Sequence, residues 1–444
     1  MDEPGAELLR RGISRRNFLR TAGVVGAGLT LSSPLLAACA SSSGGGGGGG
    51  NASLKIGFVS PRTGPAAGFG EPDGYALDQA RAALKNGLKV GGTSYDVQII
   101  DKDSQSDPQR ASQVANDLIN SSGVNLMLTT STPETVNPVS DACEAAGVPC
   151  ISTVVPWEAW VLGRGGKLTD QKPFKYTYHF CFGVKQFASA YTTMWPQVAT
   201  NKQVGAMWPN DSDGNAIRAA LGPMLQQAGY TIVDPGAYTD GTNDYSAQIA
   251  QFKQTDAQIF NTFPIPPDFA TFWQQAAQQG YKPKIVQVAK TGLFPSQVES
   301  LGPIGVGIAS AAYWTPTFPY TSSLTNIKAA DLATGYQQAS GKQWNQQLGA
   351  TMALFDAGAA ALKAASDPTD KETVATAIGS LQVDTPIGTL KWGSGPNGNV
   401  VATPIMGGQW IKGTSGYPLD FVLCENSSDP NVPIAAKLQP YGSL

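Results

Sequence analysis

Few residues of this chain belong to the types that carry out catalysis. His179 is the single histidine among 444 residues, and nucleophilic catalysis by Ser or Cys usually needs a histidine base. We find no G-x-S-x-G elbow, phosphate-binding loop or dinucleotide-binding glycine pattern in the sequence. The carboxylate pairs, Asp101 with Asp103 and Asp211 with Asp213, are typical of turns and helix caps. The sequence therefore predicts a protein that is not an enzyme and that holds neither a metal nor a cofactor.

The N-terminal residues instead predict export and lipid attachment. Residues 14–20, SRRNFLR, match the twin-arginine export pattern, and the uncharged apolar stretch 21–38 that follows is short for a membrane-spanning helix. Leu-Ala-Ala-Cys at 36–39 resembles the lipobox of bacterial lipoproteins, which makes Cys39 the predicted lipidation site. We interpret residues 1–38 as a twin-arginine lipoprotein signal peptide. An uncleaved transmembrane anchor is the alternative.

A flexible tether is predicted to follow the anchor. Residues 39–52 contain seven consecutive glycines, a composition that behaves as a random coil. Acyl chains on Cys39 would hold the protein at a lipid bilayer, so the expected location is the outer face of the cytoplasmic membrane. The net charge of −3 and the lack of a basic run argue against a nucleic-acid partner.

Four further cysteines remain for the folded part of the chain. An even number in an exported protein permits disulfides. We favour a bond between Cys143 and Cys150, because a helix end and the next strand can bring them close. Buried free thiols are the alternative for all four, since free cysteine packs as a small apolar residue.

From residue 54 onward, strand and helix patterns alternate. Residues 54–59 predict a buried strand and residues 95–101 a second strand, and Asp107 followed by Pro108 is typical of a helix start. The alternation restarts near residue 203 and predicts a second unit of the same kind. We therefore expect an α/β fold of two doubly wound lobes with parallel central sheets. A ligand cleft is expected at the carboxyl ends of the strands.

Several segments resemble the branched-chain amino-acid (Leu/Ile/Val) binding protein family in their order and spacing. They are residues 55–57 (KIG), 60–65 (SPRTGP), 144–152 (EAAGVPCIS), 384–392 (DTPIGTLKW) and 408–410 (GQW). The resemblance implies the type I periplasmic-binding-protein architecture, with three crossings between the lobes and closure on a ligand that an ABC importer recognises. The expected lobes are residues 53–180 plus 312–384 and residues 181–311 plus 385–444.

The resemblance also implies where the ligand lies. In this family, hydroxyl residues after the third and fourth strands hold the amino-acid head group. Pro133 and Pro156 occupy those positions here, with Thr132 and Thr153 beside them as substitutes. The family's acidic partner of the ligand ammonium is replaced by Lys290. We therefore expect an anionic group on the ligand at Lys290, the alternative being a lysine that points to solvent.

Aromatic residues complete the predicted site. Rings of Phe, Tyr and Trp stack on flat or apolar ligands at low entropic cost, whereas His179 is expected to be a packed or surface residue. The predicted ligand contacts are Phe69, Thr132, Pro133, Thr153, Val155, Trp157, Phe182, Asp213, Ile265, Lys290 and Trp314.

Together these features predict a solute-binding lipoprotein of an ABC importer. Its ligand would be an amino acid or a carboxylate such as an aromatic acid. The expected partners are ABC permease subunits and, through Cys39, the lipid bilayer, and the protein itself is expected to be a monomer. A ligand-sensing receptor component that feeds a membrane signalling partner is the alternative function.

Overall fold

Two seven-stranded sheets form the body of the protein in the computed structural model, which describes residues 52–444. The predicted signal peptide, Cys39 and the tether up to residue 51 lie outside the described residues. The strands are β1 (Ala52–Ser60), β2 (Leu88–Val90), β3 (Thr93–Asp103), β4 (Leu126–Thr130), β5 (Cys150–Thr153), β6 (Thr177–Phe180), β7 (Gln203–Met207), β8 (Thr231–Val233), β9 (Ile259–Thr262), β10 (Ile285–Val288), β11 (Ala309–Ala312), β12 (Gln382–Thr385), β13 (Gly388–Lys391), β14 (Val400–Val401), β15 (Met406–Lys412) and β16 (Leu419–Glu425).

Most neighbouring strands in both sheets are parallel. The first sheet has the order β14-β6-β5-β4-β1-β3-β2, and the second has the order β16-β15-β11-β10-β9-β7-β8. Within them only β2 with β3, β11 with β15 and β15 with β16 pair antiparallel. The long apolar run of β1 is buried over its last five residues, as expected of a strand in a parallel sheet covered on both faces. The predicted fold class is confirmed.

Helices cover the sheets on both faces. They are α1 (Ala67–Gly70), α2 (Asp73–Leu84), α3 (Pro108–Asp117), α4 (Pro133–Ala146), α5 (Trp157–Leu162), α6 (Val184–Met194), α7 (Ser212–Gln227), α8 (Ser246–Gln254), α9 (Pro266–Gln278), α10 (Pro295–Glu299), α11 (Ala329–Ser340), α12 (Gln347–Ala364) and α13 (Lys371–Gly379). The predicted start of α3 is confirmed, because the Asp107 side chain accepts a hydrogen bond from the Arg110 amide at 2.7 Å. Within residues 52–444, no helix is both long and apolar enough to cross a bilayer.

The chain crosses between the two sheets three times. It passes from β6 to β7, from β11 to α12, which packs on β4 and β5, and finally from β14 to β15. The sequence placed the last lobe boundary, and with it the third crossing, between residues 384 and 385. Those residues instead belong to a separate hairpin, β12 with β13, and β14 still pairs with β6 of the first sheet. The third crossing therefore lies at residues 401–406.

Helix α12 packs on strands β4 and β5 of the first sheet and is almost entirely enclosed. Fifteen of its eighteen residues are buried, which is the pattern of a helix enclosed on all sides. Gly349 of α12 faces the ring of Trp314, which is fully buried. Trp314, a predicted ligand contact, therefore packs in the core and does not line the cleft.

Replacing Gly349 by Ala is expected to lower the free energy of unfolding by about 1–3 kcal/mol, because the new Cβ would overlap the Trp314 ring. Helix propensity alone favours Ala over Gly by about 1 kcal/mol, so a loss of stability would have the opposite sign. Urea unfolding measures this change in the free energy of unfolding. Gly222→Ala in α7 is the matched control, since its Cβ would lie an ordinary 3.4 Å from Trp208. A Gly349→Ala protein as stable as the control would contradict the close packing.

Candidate functional site

A cavity lies between the two sheets, where loops that follow β4, β5, β7 and β10 meet. It encloses about 490 Å³ of space, part of it open to solvent. Its lining is mainly apolar and aromatic, and it consists of Phe69, Thr132, Val154, Pro156, Phe182, Phe187, Asp213, Phe263, Ala289, Lys290, Leu293, Ala311, Tyr313 and Ile405. Small-molecule sites have this composition: an apolar surface with a few converging polar groups.

Five aromatic rings belong to the apolar part of the lining: Phe69, Phe182, Phe187, Phe263 and Tyr313. Phe182 packs edge-on against Phe187 at 5.0 Å between ring centroids, and Phe187 packs in the same way against Phe263 at 5.1 Å. Tyr313 lies 5.4 Å from Phe182. On the opposite wall, Phe69 of α1 contacts Phe294 at 4.8 Å. Rings held against one another in this way give a rigid surface for a flat or branched apolar ligand.

The two threonines predicted to hold a ligand head group use their hydroxyl protons inside the protein. Thr132 Oγ1 donates to Glu134 Oε2 at 2.6 Å, and Thr153 Oγ1 donates to the Phe180 carbonyl at 2.7 Å. Thr132 lines the main cavity. Thr153 lines a second, smaller cavity of about 190 Å³ that shares Val154, Phe182 and Tyr313 with the main one. Neither hydroxyl is therefore free to donate to a ligand.

Lys290 lies in the cavity as predicted, but it is not a lone positive charge. Its Nζ is 2.7 Å from Asp211 Oδ2 and 3.1 Å from Asp213 Oδ2. The three side chains are only 11%, 13% and 6% exposed. Two carboxylates against one ammonium leave a net negative charge when both are ionised. Lys290 therefore does not present an uncompensated positive charge, and an anionic ligand group at Lys290 stays a prediction.

Burial and charge set the protonation of this cluster. Burial raises the pKa of Asp213 to about 6, although the Lys290 ammonium opposes the shift. Burial lowers the pKa of Lys290, but Asp213 and Asp211 outweigh that effect and raise it well above the ordinary lysine value. Lys290 therefore stays charged at neutral pH.

Asp213 also offers an unused hydrogen-bond acceptor. Its Oδ1 is buried and has no hydrogen-bond partner within residues 52–444, while its Oδ2 faces Lys290. A buried carboxylate oxygen without a donor costs free energy. Asp213 itself is one of the residues that line the cavity.

Three non-glycine residues of the cleft loops have left-handed backbone conformations. Ser131 has φ +48°, Val154 has φ +59° and Lys290 has φ +48°. Such a conformation is strained for a β-branched residue such as Val154, and strained residues concentrate at functional sites. All three follow a strand of a parallel sheet, which is where ligands bind in open α/β folds.

The structure brings together five of the eleven predicted contacts in the main cavity: Phe69, Thr132, Phe182, Asp213 and Lys290. Thr153 lines only the smaller cavity. The other five lie outside both linings. Pro133 and Trp157 are the first residues of α4 and α5, and Ile265 directly precedes α9. Trp314 packs on α12, and Val155 is buried in the turn between β5 and α5.

Sequence reasoning missed several cleft residues. Phe187, Phe263 and Tyr313 lie in the lining. Each comes soon after a strand in the sequence, as many aromatic residues of the core do, so its position in the sequence does not indicate a ligand contact. The one available signal was Pro156, which the resemblance placed at a family contact position and which does line the cavity.

All four cysteines of the described region are buried free thiols. The favoured Cys143–Cys150 disulfide is therefore not formed, although the two thiols are close enough for Cys150 to affect the ionisation of Cys143. Within residues 52–444, no group of three His, Cys, Asp or Glu side chains is arranged to hold a metal ion.

We expect four thiols to react with a chromogenic disulfide reagent after a chain of residues 52–444, which lacks Cys39, is unfolded without reductant, and none to react quickly before unfolding. Burial protects the native thiols and raises the pKa of Cys181 and Cys424. Finding only two reactive thiols in the unfolded chain would reinstate the disulfide.

Comparison with known proteins agrees with this geometry. The profile of a family described as periplasmic binding protein matches residues 53–415, and a twin-arginine translocation signal matches residues 12–32. The Leu/Ile/Val-binding protein homolog 8 of Brucella abortus is 24% identical over 373 residues, covering 82% of this chain and 89% of the homolog.

Solved structures share the fold at low sequence identity. A leucine-binding protein, LivK, of Thermotoga maritima superposes with a TM-score of 0.68 at 16% identity, covering 85% of this chain and 99% of LivK. An ABC transporter solute-binding protein of R. palustris in complex with 4-hydroxybenzoate gives a TM-score of 0.67 at 17% identity, covering 88% of this chain and 99% of its own.

Proposed function

Because the chain belongs to the periplasmic binding protein family, whose members bind solutes and are not enzymes, we propose that it captures a small organic molecule in the cleft and delivers it to an ABC importer. The observation that carries the proposal is the cavity between the two sheets. Its aromatic lining suits an apolar body, and its one charged corner, at Asp213 and Lys290, suits a polar group.

We propose that the ligand is an apolar amino acid or a hydroxylated aromatic acid. LivK is by its name a leucine-binding protein, and the R. palustris protein was solved with 4-hydroxybenzoate. Both ligands combine an apolar body with a hydrogen-bond donor, an ammonium in one and a hydroxyl in the other. We propose that this donor pairs with Oδ1 of Asp213, which has no hydrogen-bond partner among the described residues.

Calorimetric titration of the mature chain with two matched ligand pairs tests this proposal. The pairs are leucine with 4-methylpentanoate, and 4-hydroxybenzoate with benzoate; the second member of each lacks the donor. Leaving a buried acceptor unpaired costs about 1–3 kcal/mol, so the donor-bearing member of the cognate pair is expected to bind about 5- to 150-fold more tightly.

Asp213→Ala is the control variant, because it removes the acceptor and should abolish the preference within the pair. Equal affinity of wild-type protein for both members of the pair that binds would contradict the role of Asp213. Failure of all four compounds to bind would contradict the proposed ligand class.

Export and anchoring complete the proposal. The matched twin-arginine signal indicates export, and we propose that Cys39 carries the lipid anchor, that permease subunits receive the ligand and that the receptor is a monomer. Cys39→Ala is expected to abolish acyl-chain labelling and to release the protein from membranes in the producing cell. Labelling that persists in Cys39→Ala would exclude Cys39 as the anchor.

A further inference from the structure

The turn between β5 and α5 places a β-branched residue of the cavity wall in the left-handed region. Val154 has φ +59° and lines both cavities, and Pro156 lines the main one. A valine in the left-handed region persists only where its surroundings hold it there. Some contact must therefore fix this turn.

The single histidine of the chain makes one such contact, beside the Cys181 thiol, which interacts with the backbone amides of Val154 and Val155. His179 on β6 is fully buried, and its Nε2 lies 2.8 Å from the carbonyl oxygen of Val155. Its Nδ1 lies 2.8 Å from Ser152 Oγ. The imidazole thus joins the strand before the turn to the residue directly after Val154.

The chemistry of the partners fixes the tautomer. A carbonyl oxygen can only accept, so the neutral ring carries its proton on Nε2 and donates it to Val155, which leaves Nδ1 as an acceptor. Ser152 Oγ lies 2.8 Å from Nδ1 and 3.2 Å from the Tyr178 carbonyl oxygen, and we assign its one proton to the nearer acceptor, Nδ1. Burial lowers the pKa of His179 to about 3. The ring therefore stays neutral and keeps this tautomer throughout the physiological pH range.

Aromatic packing holds the imidazole in place. The His179 ring stacks on Trp160 of α5, with 4.9 Å between centroids and 13° between planes. The Arg164 guanidinium covers the Trp160 ring at 4.6 Å and pairs with Asp141 at 2.7 Å. The imidazole cannot move without disturbing this stack, so its bond to Val155 has a fixed direction.

We infer that His179 is a positioning residue of the ligand site: its bond to the Val155 carbonyl holds Val154 in the left-handed conformation and so places Val154 and Pro156 against the ligand. This inference rests on the proposed function for its effect on binding. Its effect on the backbone of the turn does not depend on any ligand.

His179→Phe tests the inference, because phenylalanine keeps a ring to stack on Trp160 but can make neither hydrogen bond. We expect leucine or 4-hydroxybenzoate, whichever the wild-type protein binds, to bind at least 10-fold more weakly. In a crystal structure of the variant, Val154 is expected to leave the left-handed region. His179→Gln, whose amide can donate to Val155, should recover most of the affinity.

Tyr281→Phe is the matched control. Tyr281 also donates from a buried side chain to a main-chain carbonyl, that of Ala257 at 2.9 Å, but it lies outside the cavity lining. It should lose stability and keep wild-type affinity. Unchanged affinity in His179→Phe, or an affinity loss no larger than in Tyr281→Phe, would overturn the inference.

Two readouts remain decisive if no compound binds or if His179→Phe does not fold. In any crystal structure of a His179 variant without the bond, a Val154 that stays left-handed would overturn the inference. Nitrogen NMR of the tagless wild-type protein reports on one histidine only. It should show protonated Nε2 with no titration between about pH 5 and 8, and the opposite tautomer would exclude the bond to Val155.

Discussion

Replacing Lys290 by Met is expected to destabilise the protein by about 3–5 kcal/mol at pH 8, which is the usual cost of removing one partner from a buried ion pair. Lys290 contacts both Asp211 and Asp213, and all three side chains are nearly enclosed. Methionine preserves the length of the side chain but leaves two carboxylates facing each other without a cation. Urea unfolding at pH 8 measures the loss.

A surface ion pair provides the control for this prediction. Lys342 pairs with Glu71 at 2.6 Å, but its side chain is 59% exposed. Exposed pairs contribute about 1 kcal/mol or less, so Lys342→Met should be close to neutral. If Lys290→Met cost no more than Lys342→Met, the cluster would be solvated like a surface pair and could not organise the charged corner of the cleft.

Acidification from pH 8 to pH 5 is expected to stabilise the folded protein. Burial raises the pKa of Asp356 to about 7 and that of Asp73 and Asp213 to about 6, all from an ordinary value of 3.8. Each folded carboxyl therefore binds its proton more tightly than the unfolded chain does. Stability gained from these groups appears as the pH falls through the folded pKa and is complete below the unfolded one.

His179 opposes this gain. Burial lowers its pKa to about 3 from 6.5, so the unfolded chain takes up the proton first and stability falls as the pH drops below 6.5. At about 1.4 kcal/mol per pKa unit, these three carboxyls alone outweigh the histidine at pH 5 by roughly 3 kcal/mol, and Asp240, whose pKa burial also raises to about 6, adds to the gain. Urea unfolding at several pH values measures the sum.

Asp356→Asn isolates the largest of these contributions. Asp356 Oδ1 accepts from Ser322 Oγ at 2.7 Å and from the Leu324 amide at 2.8 Å, and an asparagine oxygen can accept both. The variant should be more stable than wild type at pH 8 and similar to it at pH 5. A wild-type protein whose stability falls steadily from pH 8 to pH 5 would contradict the assignment of buried carboxyls.

The local rules of helix and strand formation made much of the fold predictable. Asp107 and Pro108 start α3 as expected, and the apolar run that begins at residue 54 lies in β1. The third crossing was misplaced because β14 has only two residues. A strand that short has no periodic pattern, and its pairing with β6 depends on the rest of the sheet.

The site was less predictable because it depends on contacts between distant parts of the chain. Asp211 does cap α7, as the sequence indicates, since its Oδ1 accepts from the Gly214 amide at 2.6 Å. Its other oxygen reaches Lys290, which is 79 residues away. No local sequence pattern identifies a residue that both caps a helix and pairs with a distant lysine.

Aromatic residues posed the same difficulty. Trp314 and Phe182 both follow crossings between the sheets, yet Trp314 packs on Gly349 whereas Phe182 lines the cleft. The size and apolarity of a ring predict that it will be buried. They do not indicate whether it packs against a helix or against a ligand.

Small-angle scattering of the mature chain with and without ligand tests the central claim most directly. If the two sheets belong to lobes that close on a molecule held between them, saturation with leucine or 4-hydroxybenzoate should reduce the radius of gyration. Asp213→Ala, which lacks the acceptor in the cleft, should need more ligand for the same change. A radius of gyration that stays the same at saturating ligand in the wild-type protein would contradict closure on a captured solute.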